Sequence, residues 1–320
     1  MRLLFCGTPQ FAVPTLQHLL AQSDFKILGV ITQPDRPRGR GHEVSFSPVK
    51  QVALEAALPL LQPEKIRSSE AEESLRKFSL DFIVIIAYGQ IIPARLLSIP
   101  KFGWINLHAS LLPKYRGAAP INWAIANGDS VTGLTTMRID PGMDTGEILL
   151  QKEIAIGPAE TAPELSARMA DASAPLMAET LRGLVAGTIT PRPQDHSQAI
   201  LAPLLKKQDG RIDWARPAFE IFNRMRAFLP WPGAYASFRG QNCHLWGEPV
   251  SNKLVEPSPP RSKAASPGTL LVQGDAVTVA CGRATLLRLL HVKVEGRKQV
   301  SAAEFARGAH LHGGERFDES

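Results

Sequence analysis

Apolar and polar positions divide the chain into two textures. In the first, short apolar runs alternate with stretches of helical spacing. Arg-Leu-Leu-Phe-Cys at 2–6 reads as a buried strand, followed by the turn Gly7-Thr8-Pro9 and a helical pattern over 11–20. A second apolar run at 27–32 follows directly, so the chain opens as a strand–helix–strand unit and predicts a parallel sheet. Ser47-Pro48 starts another helix, because serine can cap the first N–H groups and proline fits the first helical position. A short strand at 58–61 and a Glu/Ser/Arg-rich helix at 69–78 lead to Phe-Ile-Val-Ile-Ile-Ala at 82–87. That run is apolar on both faces, as a central parallel strand should be. Residues 102–105 read as the end of another buried strand, 132–140 alternates as a strand, 147–156 answers it, and 161–184 is a long amphipathic helix.

The second texture begins near Asp213-Trp214. Residues 187–205, polar and proline-bearing, are expected to be a linker between a domain at 1–186 and one at 206–320. After a helix at 217–227 come short strand-like runs near 243–246, 269–272, 276–280 and 286–291, interrupted by a Ser/Pro/Lys loop at 256–267. Several short strands with glycine-rich turns predict a small β-barrel, with the OB type as candidate.

Charge sharpens this division. Residues 1–205 hold 19 Lys/Arg and 19 Asp/Glu, so the net charge of +6 lies wholly in 206–320, with 17 against 11. A neutral first part and a basic second part suggest that the latter meets something anionic, although a merely solvated basic surface reads the same way. Cys6, Cys243 and Cys281 are too few and too scattered for a disulfide framework or a zinc site. No apolar run approaches the ~20 residues of a membrane span. The expectation is a reduced, cytoplasmic, monomeric protein without a metal.

The chemistry concentrates in two segments. Residues 106–120 read Asn-Leu-His-Ala-Ser-Leu-Leu-Pro-Lys-Tyr-Arg-Gly-Ala-Ala-Pro, and residues 140–146 read Asp-Pro-Gly-Met-Asp-Thr-Gly. Asn106 and His108 stand two apart, so on a strand end they point to one side. Asp144 would complete an amide, imidazole and carboxylate set able to serve polar acyl transfer. A satisfied structural histidine competes with that reading. In an open parallel sheet the segments ending at Gly7, Gln33, Tyr88 and Asn106 share one rim, where ligands bind. There, Tyr88-Gly89 could offer backbone groups to a flat heterocycle. Gly7 stands alone without the G-x-G-x-x-G spacing, so a dinucleotide site is not expected. Gln-Pro-Asp-Arg-Pro-Arg-Gly-Arg-Gly-His at 33–42 cannot bury itself and suits a phosphate backbone, with Arg36, Arg38 and Arg40 and no acid between them. A plain solvated loop is the alternative.

These two segments resemble the signature of the 10-formyltetrahydrofolate-dependent formyltransferase family, and the likeness extends over nearly the whole chain. The arginine-rich segment and Arg-Ala-Phe-Leu-Pro-Trp-Pro-Gly at 226–233 resemble the branch whose acceptor is charged initiator methionyl-tRNA. The resemblance implies a Rossmann-like catalytic domain and an OB-type domain that binds tRNA, with 10-formyltetrahydrofolate as formyl donor. It implies that Asn106 polarises the formyl oxygen, that His108 assists it, and that Asp144 orients the imidazole and handles protons. Ser110, Leu111, Leu112 and Pro113 would line the folate site together with Tyr88 and Gly89. Arg36, Arg38 and Arg40 would reach the tRNA, Arg40 matching the family's key arginine most closely. Here His42-Glu43 follows the Gly-Arg-Gly, where the family commonly has lysines. Lys114 and Arg116 stay unassigned between ligand and tRNA phosphate. Two other readings stay open: a family member with a different amine acceptor, and a nucleic-acid-binding module without activity.

Overall fold

The computed structural model describes residues 1–38, 43–250 and 265–318. They form two compact units. The first comprises Met1–Ile121, Val131–Ile156 and Glu164–Pro203; the second comprises Asn122–Ser130, Gly157–Pro163 and Leu204–Ser320.

In chain order the first unit supplies β1 (Arg2–Gly7), α1 (Val13–Leu20), β2 (Lys26–Ile31), the pair β3 (Arg36–Arg38) and β4 (Glu43–Ser45), α2 (Pro48–Glu55) and β5 (Leu60–Leu61). It continues with α3 (Ser69–Arg76), β6 (Phe82–Ile86), α4 (Ala94–Leu97) and β7 (Trp104–His108). β8 (Val131–Arg138), β9 (Ile148–Ala155) and α6 (Ala162–Ala186) follow, whereas most of the intervening α5 (Pro120–Ala126), residues 122–126, falls in the second unit. The seven-stranded sheet runs β5-β2-β1-β6-β7-β8-β9. Its first five strands are parallel, and β8 and β9 extend it antiparallel.

Local chemistry explains these elements. Every residue of β6 is buried, so helices must cover both its faces, and a continuous run of Ile, Val and Phe satisfies both at once. Ser47 caps α2 by accepting from Lys50 N, with Pro48 at the first helical position, as its sequence predicts. Ser68 caps α3, whose first turn carries Glu70 and Glu72 against the positive helix end. Cys6 ends β1 fully buried, where desolvation pushes its thiol up.

Two expectations change. The arginine-rich segment is not a plain loop at its base: β3 and β4 pair Arg36 with Ser45, Pro37 with Val44 and Arg38 with Glu43. Of the expected linker at 187–205, residues 187–203 belong to the first unit and 204–205 to the second. Arg192 exchanges backbone hydrogen bonds with Ile148, and Arg116 with Ile200 and Ala202, so the sheet and the 110–120 loop hold this polar segment without any apolar periodicity.

The second unit contains α7 (Ala218–Ala227), β10 (Tyr235–Phe238), β11 (Gln241–Pro249), β12 (Leu270–Gln273), β13 (Ala276–Cys281), β14 (Thr285–Val294), β15 (Val300–Ser301) and α8 (Ala302–Gly308). Its antiparallel sheet follows β10-β11-β14-β13-β12, with β15 on β14. Among the described residues its strand pairings run from β10 to β12 along that order. The 256–267 loop lies largely outside the described residues. α8 and β10 carry signals that are easy to pass over: Ser301 and Glu304 form a capping box, and β10 follows a Pro-Gly turn. The core packs α7 and α8 residues such as Ile221 and Phe305 with Leu245, Val279 and Leu287 of the sheet.

Phe82 is fully buried in β6 and its ring stacks on Phe102 at 5.0 Å. Phe82→Ala is expected to lower the unfolding free energy by about 3–5 kcal/mol, read as a shifted urea midpoint at constant slope.

Candidate active site

Thr8, Gln33 and Tyr88 knit three strand ends together. Thr8 Oγ1 donates to the Tyr88 carbonyl at 3.4 Å and accepts from Gln33 N–H at 3.4 Å, and Gln33 Nε2 donates to the same carbonyl at 3.0 Å. The carboxyl ends of β1, β2 and β6 therefore form one rim beside the point where strand order reverses. Tyr88 does not extend its side chain into that rim. Its ring sits in the core with Cys6 and Leu96, and its hydroxyl has no hydrogen-bond partner among the described residues, so burial pushes the phenol up. Its backbone carbonyl and the following Gly89 are what this strand end presents.

At the end of β7, Asn106 and His108 share one face, Asn106 half-buried and His108 buried. His108 Nε2 lies 2.8 Å from the Tyr115 carbonyl, which can only accept, so Nε2 carries hydrogen. Nδ1 is then the nitrogen that faces Asp144, 3.7 Å from Oδ2. The imidazole is thus held at Nε2 and turns Nδ1 toward a carboxylate.

The turn 110–113 is held from behind. Ser110 Oγ donates to the Lys114 carbonyl at 2.6 Å. Thr135 Oγ1 of β8 donates to Ser110 O at 2.6 Å and accepts from Leu112 N–H at 3.1 Å. Gln151 of β9 donates to the Leu112 carbonyl at 2.9 Å, and the Leu112 side chain packs on Met137 and Ile148. Ser110 and Leu112 are therefore turned inward, while Leu111 and Pro113 are half-buried.

The 140–146 loop brings Asp144 back to β7. Asp140 organises its start, accepting from Gly142 N–H at 3.1 Å and Thr145 Oγ1 at 2.7 Å. Asp144 adopts a left-handed backbone, φ 53°, which aspartate tolerates better than most residues. Its Oδ2 accepts from Gly117 N–H at 2.8 Å. A side chain at Gly146 would run into the Arg138 carbonyl, so glycine is required for the loop to close there. Gln194 donates to the carbonyls of Asp144 and Gly146 at 2.9 and 2.8 Å. Arg116 is buried with Gln194 and His196 as side-chain partners and faces inward.

Thr135, Gln151 and Gln194 escape a sequence reading because each acts on a segment distant in sequence. Arg116 at least stands inside the long motif.

Of the basic residues, Arg36 is exposed and makes one long contact, 3.9 Å, to exposed Glu64. Arg38 lies in β3, and Arg40 lies outside the described residues. The base of the hairpin is firmly built. Lys50, buried on α2, pairs with Asp35 and donates to Gln62 Oε1 at 3.0 Å, while Gln62 Nε2 reaches Asp35 Oδ1 at 3.2 Å and Gln33 O at 3.0 Å. The Lys50 ammonium holds the Asp35 carboxyl below the usual carboxylate range. A cavity of about 570 Å³ lies between β5 and α3, lined among others by Leu61, Gln62, Glu64, Ile66 and Leu75, and includes none of Asn106, His108 or Asp144.

Sequence comparison matches residues 1–181 to the model of the formyl transferase family, and residues 204–310 to that of the formyl transferase C-terminal domain. The chain belongs to the formyl transferase family. Its relatives in that family include a methionyl-tRNA formyltransferase from Solibacter usitatus, 52% identical over 100% of this chain and 99% of the relative. Another from Geobacter sulfurreducens is 43% identical over 100% and 98%. Among solved structures, an N-formyltransferase from Helicobacter canadensis in complex with folinic acid and dTDP-3-aminofucose superposes with a TM-score of 0.65 at 18% identity, covering 90% of this chain and 98% of that one. At that identity the likeness shows a shared fold. HypX from Aquifex aeolicus in complex with tetrahydrofolic acid gives 0.60 at 17% identity, over 96% of this chain and 47% of that one. Both motif segments of this formyl transferase, 106–120 and 140–146, fall inside the first matched region.

Thr135→Val keeps the side-chain volume but orphans a buried N–H and a buried carbonyl in the turn. Each such group costs about 1–3 kcal/mol, so the variant is expected to lose at least about 2 kcal/mol in urea unfolding with its slope unchanged.

Proposed function

We propose that this chain transfers the formyl group of 10-formyltetrahydrofolate to the free amine of initiator methionyl-tRNA. What carries the reading is the convergence, within the matched family region, of Asn106 and His108 on one strand end with Asp144 facing the His108 ring. The full-length relatives named methionyl-tRNA formyltransferase support the acceptor.

Transfer requires the amine nitrogen to attack the formyl carbon while negative charge develops on the formyl oxygen. A new C–N bond forms, the bond from the carbon to the folate nitrogen breaks, the amine loses a proton and the folate nitrogen gains one. Asn106 offers an amide N–H to the oxygen. With His108 Nε2 engaged by Tyr115, Nδ1 is the nitrogen left to take part in proton transfer, and the Asp144 carboxylate facing it would orient the ring. Tyr88, Gly89, Leu111 and Pro113 would contact the folate through backbone and half-buried surface, with Ser110 and Leu112 shaping the turn behind them. No step in this scheme calls on a metal.

The order β5-β2-β1-β6-β7 supports the Rossmann-like reading of the catalytic unit, and the antiparallel path of the second unit suits an OB-type module. The basic excess of 206–320 and the arginine-rich segment with Arg36, Arg38 and Arg40 would hold tRNA phosphates. Three free, buried cysteines suit a reducing, cytoplasmic setting, and among the described residues no helix is long and apolar enough to cross a membrane.

Formyl-labelled folate incubated with charged initiator and elongator methionyl-tRNA should label the initiator; label on neither, but on a small amine, would overturn the acceptor. Asn106→Ala, His108→Ala and Asp144→Ala should each slow turnover, by roughly 100- to 1,000-fold for the oxyanion donor, with tRNA affinity near wild type. Near-normal rates for any two would refute the mechanism. Replacing Arg36, Arg38 and Arg40 together should raise the tRNA KM and flatten its dependence on salt, and unchanged kinetics would mean that these arginines do not meet the tRNA.

A further inference from the structure

Arg116 and Gln194 form a buried unit that the chemistry above leaves unused. Both are 6% exposed. Gln194 Oε1 accepts from Arg116 Nε at 3.1 Å and from Nη2 at 2.6 Å, and its Nε2 donates to the carbonyls of Asp144 and Gly146 at 2.9 and 2.8 Å. All four hydrogen-bonding positions of the amide are filled. Its orientation is forced as well, because a guanidinium can only donate and a peptide carbonyl can only accept. Arg116 Nη1 completes the unit at His196 Nδ1, 3.2 Å away.

The same arginine anchors the other side of Asp144. Its backbone N–H donates to Ile200 O at 2.8 Å, and its carbonyl accepts from Ala202 N–H at 2.7 Å. Gly117, the next residue, has φ +119° and points its N–H at Asp144 Oδ2, 2.8 Å away. One residue therefore sets the donor that meets the carboxylate, and through Gln194 it also sets the backbone from which that carboxylate projects. Burying a guanidinium against an amide and an imidazole, with no carboxylate partner among the described residues, is a costly arrangement for mere packing. Lysine could not replace it, since two donors must meet one oxygen in a planar fork.

We infer that Gln194 and Arg116 are positioning residues that hold Asp144 against His108. The inference rests on the catalytic reading of Asp144 given above. Gln194→Glu isolates the link, because glutamate still accepts from Arg116 but has no N–H for the two loop carbonyls. In full-length protein assayed with 10-formyltetrahydrofolate and charged initiator methionyl-tRNA, it should melt below wild type, because two loop carbonyls lose their donor, yet stay folded at the assay temperature. It should turn over about 10- to 100-fold more slowly, with both KM values within about twofold. In an Asp144→Asn background the same substitution should cost less than about twofold, since a residue acting only through Asp144 has nothing left to position. If Gln194→Glu does not fold, Gln194→Asn, which shortens the reach by one methylene, enters the same cycle. Wild-type turnover of the single variant, or an undiminished loss in the Asp144→Asn background, overturns the inference. Full turnover by Asp144→Asn alone strikes instead at the catalytic reading of Asp144.

Discussion

A carboxylate on a loop can serve a histidine only while the loop keeps a single conformation. At Asp144 that conformation is left-handed, and it is closed on three sides. Gly117 N–H takes one carboxylate oxygen, Gln194 takes the Asp144 and Gly146 carbonyls, and Gly146 leaves no room for any other residue beside Arg138 O. Apart from Gly146, two residues on, these partners lie elsewhere in the sequence. The loop is therefore tied to the fold by these hydrogen bonds, although it carries no regular structure of its own.

The same logic sets His108. Its place at the end of β7 fixes direction, since the pleat puts it on the side of Asn106, and the Tyr115 carbonyl fixes which nitrogen carries hydrogen. Residue 115 can lie there because the turn 110–113 is bound to Thr135 and Gln151 on the two antiparallel strands. Those strands, which break the parallel pattern, are thus the floor of the candidate site. At the opposite part of the rim, Lys50, Asp35, Gln62 and Gln33 tie the base of the arginine hairpin to the strand end at Tyr88. A buried ammonium with a carboxylate and an amide around it resists displacement, because removing one partner would leave a charge unsolvated.

The parallel strands and most helices were legible because burial on both faces demands continuous apolar runs, as in β6, and a helix start announces itself through Ser47-Pro48. Two kinds of element were not. The β3–β4 pair forms where prolines and arginines argue for a loop, because its ladder needs only backbone groups and a stapled base. Residues 187–203 read as a linker because they lack periodicity, yet they serve the first unit through isolated backbone pairs and the Gln194 amide. Tyr88 shows the reverse: a residue with an attractive functional side chain sends it into the core and leaves its carbonyl at the rim.

The sequence by itself determined which residues could do chemistry. Asn106 and His108 share a strand face by a period of two, and Asp144 sits in a glycine-rich loop whose composition permits a sharp return. The motif containing them was specific enough to place the chain in its family. Only the tertiary structure decided that the imidazole presents Nδ1 to the carboxylate, that Ser110 and Leu112 face inward, and that Arg116 answers to Gln194. Those outcomes depend on hydrogen-bond partners tens of residues away, such as Thr135 for the turn and Gln194 for the loop. Periodicity reports a residue's local face, whereas a hydrogen bond across the fold is set by where two separate segments meet.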